Sequence, residues 1–248
     1  MSGFSVKAGL GLVAAAVGLL ASACPALAEE QQQFSRVSLP PVEEMSESQR
    51  HIYDQSVAFF GDAVGPRLVL LETPEIGLAW SDLLSAIERS ELRRDLWELS
   101  ILVVARKWTS QFEWYAHADK AIAQGVPAGA VEQLRLGCAP ELADDLQRAT
   151  YAYVAELHRD GRLSDQTYNG LRDLIGQKQL IELTALIGHY SMVAITLNAH
   201  EVRLPAGVEA PMGAVSTGSC EVSATTAGVT KQYSEQSKAQ PQIHWGER

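Results

Sequence analysis

The run Glu98-Leu99-Ser100-Ile101-Leu102-Val103-Val104-Ala105 is too apolar for a helix that keeps one face in water. It lies within Leu92 to Trp108, where Leu92, Leu96, Leu99, Leu102, Val103 and Arg106 fall at helical spacing. That pattern predicts a central, buried helix. A second long apolar segment, Gln177 to His200, predicts another. Two buried helices need others to cover them, and the rest of the chain supplies amphipathic candidates. Ser46-Glu47-Ser48-Gln49 caps a segment that ends at Gly61, and Thr73-Pro74-Glu75 is a hydroxyl, proline and acid start signal. Further helices are expected from Gln111 to Gln124, Pro127 to Leu136, Pro140 to Arg159 and Ser164 to Ile175. No convincing alternating strand appears. The expected class is all-α.

The outer parts of the chain read differently. Lys7, the apolar run Ala8 to Ala23 and the small-x-small site Ala26-Leu27-Ala28 read as a signal peptide over residues 1–28. Cleavage there would export the mature chain, to a periplasm or outside the cell, with no membrane span left. A lipoprotein through Cys24 ranks second and a retained anchor third. Residues 29–41 are expected to be an extended lead-in, 42–204 the helical domain and 205–248 a disordered tail, since periodicity fades and Ser, Thr, Gly and Gln accumulate. Removal of Cys24 would leave Cys138 and Cys220, for which a disulfide is possible in an oxidising compartment but not required.

Composition narrows the partners. With 248 residues, 46% apolar residues and a net charge of −10, the chain has enough to build a core. The acidic balance argues against nucleic acid or an anionic membrane surface as the main partner. No Gly-rich phosphate loop follows a strand, and no His-Glu-x-x-His or cysteine cluster is present, so neither a cofactor nor a metal is expected.

Chemistry concentrates in Glu98 and in Ser110-Gln111-Phe112-Glu113-Trp114-Tyr115-Ala116-His117. Glu113 and His117 are one helical turn apart and can share a face. A carboxylate beside an imidazole orients it and suits it to acid–base work. Glu98 can approach the pair if its helix packs antiparallel across the short break. Phe112 and Trp114 are candidate apolar walls. The competing interpretation makes Ser110-x-x-Glu113 a capping box, pairs Glu98 with Arg94 or Arg106, and leaves His117 as a core residue. Arg106 and Arg67 are candidate partners for a substrate carboxylate. His189 and Tyr190 read as packing residues in the last long helix.

These residues resemble the carboxymuconolactone decarboxylase family, which includes the alkylhydroperoxidase-D-like proteins. The matching pattern is an acid opening an aliphatic helix, a break, then Glu-Trp-x-x-His leading into Ala121 to Gly125, with Gly65-Pro66 and Thr73-Pro74-Glu75 upstream. The resemblance implies an alkylhydroperoxidase-D-like bundle around the two apolar helices. It also implies a homo-oligomer, a trimer or hexamer. The peroxidase-like branch would carry cysteines where Ser110 and Glu113 stand, so the likeness points to the decarboxylase-like branch. Such an enzyme would act on a small organic acid or carboxylated lactone without a cofactor. His117 would be the acid/base, Glu113 its orienter and Glu98 a second proton carrier, with Arg106 and Trp114 binding substrate. Alternatives are a non-catalytic oligomeric binding protein and, behind it, a peroxide-reducing enzyme.

Overall fold

The computed structural model describes residues 34–61 and 63–213, apart from the side chains of Phe59 and Phe60. The expected signal peptide, Cys24 and the chain beyond 213 lie outside the described residues. So do residues 29–33 of the expected lead-in.

Among the described residues the α-helices are α1 (Glu47–Phe60), α2 (Pro74–Glu88), α3 (Arg94–Trp108), α4 (Gln111–Ala123), α5 (Ala128–Arg135), α6 (Asp145–Asp160) and α7 (Asp165–Ala199). There is no strand among them. The caps are largely where local chemistry puts them. Ser46 and Gln49 form a reciprocal capping box at α1, and Gly61 closes that helix in the left-handed region. Pro74 occupies the first turn of α2, but the Thr73 hydroxyl makes no capping bond, contrary to expectation. Helix α6 starts later than its sequence pattern suggested, at a cap supplied by Asp144.

The two helical segments expected on either side of residue 176 are both present and meet at Gly176, whose φ 81° and ψ 162° are non-helical and kink the run labelled α7. A short 3-10 segment, Pro66–Glu72, was not anticipated. Its Leu68 and Leu71 pack with Ile52 of α1 in a small satellite core.

Every residue of α3 from Asp95 to Arg106 is buried, and the helix packs against α4, α6 and α7. Each fully buried leucine or isoleucine here contributes about 1.5–3 kcal/mol, so rotating α3 would forfeit several such terms. Its register is therefore fixed, and with it the position of Glu98. Helix α7 is long and apolar enough to cross a membrane, but half of its most apolar window is buried in the protein. It is a core helix of this bundle.

The ends of the domain are tied down more than their composition suggested. Arg36 N donates to His200 O, and Arg203 N to Phe34 O, so the lead-in pairs with the chain leaving α7. Met212 is only 3% exposed and belongs to the main core. Its backbone exchanges two hydrogen bonds with the Gln111 amide, and Arg135 and Arg106 hold the carbonyls of Pro211 and Gly213. Residues around Met212 thus pack onto the domain that was expected to end at 204. Cys138 is buried and disulfide-bonded; the other two cysteines lie outside the described residues.

Candidate active site

The break between α3 and α4 is only Thr109 and Ser110. Thr109 takes up the left-handed conformation at φ 49°, and the amides of Thr109 and Ser110 close back onto α3 carbonyls. The helices fold back on each other, which brings Glu98 near the start of α3 against His117 in the middle of α4. The Nδ1 of His117 and Oε2 of Glu98 are 2.7 Å apart in a buried hydrogen bond. Glu98, not Glu113, is therefore the partner that orients the imidazole. With Nδ1–H donated to the Glu98 carboxylate, Nε2 is the nitrogen left for proton transfer. Burial lowers the His117 pKa most; Glu98 opposes that shift and the charge of Lys120 adds to it.

Glu113 is 2% exposed, and neither carboxyl oxygen has a hydrogen-bond partner among the described residues. Burial pushes its pKa well above the usual carboxylate range. Ser110 stands close enough to ease that shift, yet its Oγ falls short of hydrogen-bond geometry and caps no backbone amide. The capping-box interpretation of Ser110 and Glu113 is thus not what the structure shows. A carboxyl this deeply buried and unpaired keeps its proton, which makes it a neutral acid one turn from the His117–Glu98 pair.

Glu113 and His117 line a cavity of about 70 Å³ together with Arg67, Trp80, Phe112, His189 and Tyr190. Trp80 Nε1–H donates to His189 Nε2 at 2.8 Å. The neutral ring of His189 therefore carries its proton on Nδ1, and that buried nitrogen has no partner among the described residues. Burial, and then the charge of Arg67, bring the His189 pKa down to about 4. Tyr190 stands edge-on to His117 at 5.1 Å and to His189 at 5.4 Å. Its phenol is driven well up by burial first and by the charge of Glu98 after it, so it stays protonated.

A crystal structure of an alkylhydroperoxidase AhpD core, an uncharacterized peroxidase-related protein from Ralstonia eutropha JMP134, is similar to this chain. The match has TM-score 0.60 and 14% identity, and covers 70% of this chain and 93% of that one. The chain has an AhpD-like fold. An uncharacterized peroxidase-related protein from Silicibacter sp. TM1040 is similar at TM-score 0.58 and 13% identity, again over 70% and 93% of the two chains. No protein-family model and no curated protein matches the chain.

Within this AhpD-like fold the expected site residues divide. Glu98, Glu113 and His117 come together, whereas Arg106 and Trp114 do not join them. Arg106 lines a different cavity, and Trp114 is fully buried in the core with no place in the wall around His117. Phe112 supplies the apolar wall instead. Glu98 takes neither Arg94 nor Arg106 as a partner; Arg94 lies over the Trp97 ring at 4.8 Å. Sequence reasoning passed over Trp80 and took His189 and Tyr190 for packing. The usable signal was a histidine–tyrosine pair inside an otherwise apolar helical run. Among the described residues no group of three or more His, Cys, Asp or Glu is placed to hold a metal.

Proposed function

We propose that the protein is an exported, cofactor-independent enzyme of the carboxymuconolactone decarboxylase type, acting on a small organic acid or carboxylated lactone. One observation carries this: a Glu98-oriented His117 and an uncharged Glu113 border the same cavity. Two proton-transfer groups held in different states are what acid–base catalysis near neutral pH requires. The cavity is far smaller than the roughly 300–1,000 Å³ of drug-sized ligand sites, so it takes the reacting part of the substrate.

In a decarboxylation the carbon–carbon bond to the carboxylate breaks, carbon dioxide leaves, and the electron pair remains on the substrate as an enolate. The Nδ1–H of His189 and the phenol of Tyr190 are the donors for its oxygen. Glu113 delivers a proton to carbon, and solvent restores it through His117. In a related isomerisation His117 removes one proton and Glu113 supplies another, with the same balance. Ser110 and Glu113 in place of two thiols leave a dithiol peroxidase without its sulfur. Ile181, Met192 and Ile195 stand exposed along α7 and support assembly of identical chains into a trimer or hexamer. The signal-like sequence at residues 1–28 supports export.

The test is a screen of the purified protein against carboxylated lactones and related acids, following carbon dioxide release. On any substrate found, His117→Gln and Glu113→Gln are each expected to cut turnover about 100-fold or more while staying folded. The double variant should lose little beyond the worse single one. Full activity in both folded variants would remove these residues from the mechanism.

A further inference from the structure

The structure holds a second cavity, of about 290 Å³, built by α3, the end of α5 and α6. It shares no lining residue with the cavity around His117. Arg106, Lys107 and Arg159 line it, and among the described residues no aspartate or glutamate does. That is unexpected in a chain of net charge −10. Val103, Leu134 and Tyr151 supply its apolar wall.

Arg106 is the decisive residue. It is only 9% exposed, and its Nη1 donates to Gly213 O at 3.2 Å. Its Nε and Nη2 are buried without a hydrogen-bond partner among the described residues. Those two nitrogens form the side-on edge of the guanidinium, the fork that matches both oxygens of a carboxylate. The charged neighbour that perturbs it is another cation, Arg135, which adds to burial in lowering the Arg106 pKa. Arg135 itself is held in a two-pronged ion pair with Glu132. At the rim Arg159 is engaged by Asp160, so Lys107 is the cation that reinforces Arg106. A buried guanidinium with two unpartnered nitrogens and no counter-charge among the described residues is completed by an anion.

We propose that this cavity binds a small organic carboxylate, with Arg106 gripping both oxygens through Nε and Nη2 and the apolar wall receiving the carbon skeleton. The wall selects for that skeleton: inorganic phosphate would satisfy Arg106 but leave Val103, Leu134 and Tyr151 against water. The site stands apart from the catalytic residues and is independent of the reaction assigned to them.

Titration calorimetry of the full chain with benzoate tests this, with benzamide as the uncharged isostere and inorganic phosphate as the bare anion. Saturable benzoate binding is expected, at least tenfold tighter than either control. Arg106→Lys keeps the charge but loses the fork, and should weaken benzoate tenfold or more. Lys107→Gln, an exposed rim change, should weaken it a few-fold and less so at high salt. His117→Gln should leave the affinity unchanged. Should Arg106→Lys fail to fold, the Arg106 Nε–H resonance of the wild-type protein must still shift on benzoate addition. Absence of saturable binding, benzamide or phosphate binding equally well, an unshifted Nε–H, or loss of affinity in His117→Gln would each overturn the proposal.

Discussion

The two cavities treat buried charge in opposite ways. Around His117, burial has removed charge: Glu113 keeps its proton, His189 gives up its affinity for one, and Tyr190 stays a phenol. Glu98 and His117 answer each other across 2.7 Å. Around Arg106 the charge cannot be given up, because a guanidinium does not deprotonate in a protein, and two of its nitrogens have no acceptor among the described residues. The comparison teaches what each space is suited to. Groups that trade protons suit a reaction, and a fixed cation with an open edge suits recognition.

The largest expected effect is on acid stability. The His189 pKa is about 4 in the folded chain against 6.5 ordinarily. A lowered histidine contributes stability that is present above pH 6.5 and lost as pH falls through the folded value. By pH 4 that loss is roughly 3 kcal/mol. Urea unfolding between pH 7 and 4 should show it, and His189→Gln should remove that share of the decline. Parallel curves for the two proteins would mean that His189 is not held neutral.

Next comes the bond that orients His117. Glu98→Ala leaves the Nδ1–H of His117 buried without its acceptor and should cost about 2 kcal/mol in denaturant unfolding at pH 7. Arg106→Met, the matching lesion in the second cavity, strands only the Gly213 carbonyl and no opposite charge among the described residues. It is expected to stay within about 1 kcal/mol of wild type. Equal losses in the two variants would erase the distinction between a paired and an unpaired buried charge.

Glu113 gives an effect of the opposite sign to that of His189. Its folded pKa is raised, so the stability it contributes is complete below about pH 4.5 and is lost as pH rises toward the folded value. Over that window the slope approaches about 1.4 kcal/mol per pH unit. Glu113→Gln should flatten this limb and gain on wild type as pH rises. An unchanged slope would mean that Glu113 ionises freely.

What was legible in the sequence follows from the range of the interactions. The Ser46 cap, the glycine stop at Gly61 and the burial of α3 are written in neighbouring residues, and the structure has them. The run from Glu98 to His117 was readable as a site because both helices carry it across one short break. Which acid holds the imidazole was not, since i,i+4 spacing favours Glu113 while the packing angle of α3 on α4 selects Glu98. His189 looked like core because a neutral histidine in a buried helix leaves the same pattern as a packed one; only Trp80, far away in sequence, fixes its tautomer. Met212 was missed for a related reason. The stretch from Pro205 has no periodicity, and its order comes from single long-range bonds to Gln111, Arg135 and Arg106.

The central claim is that an uncharged Glu113 sits beside the Glu98-oriented His117. Infrared difference spectroscopy between the wild-type protein and Glu113→Gln at pH 7 tests it without any substrate. The account predicts a protonated carboxylic acid C=O band in the wild type that is absent in the variant. A wild-type spectrum with no such band, only ionised carboxylates, would contradict it.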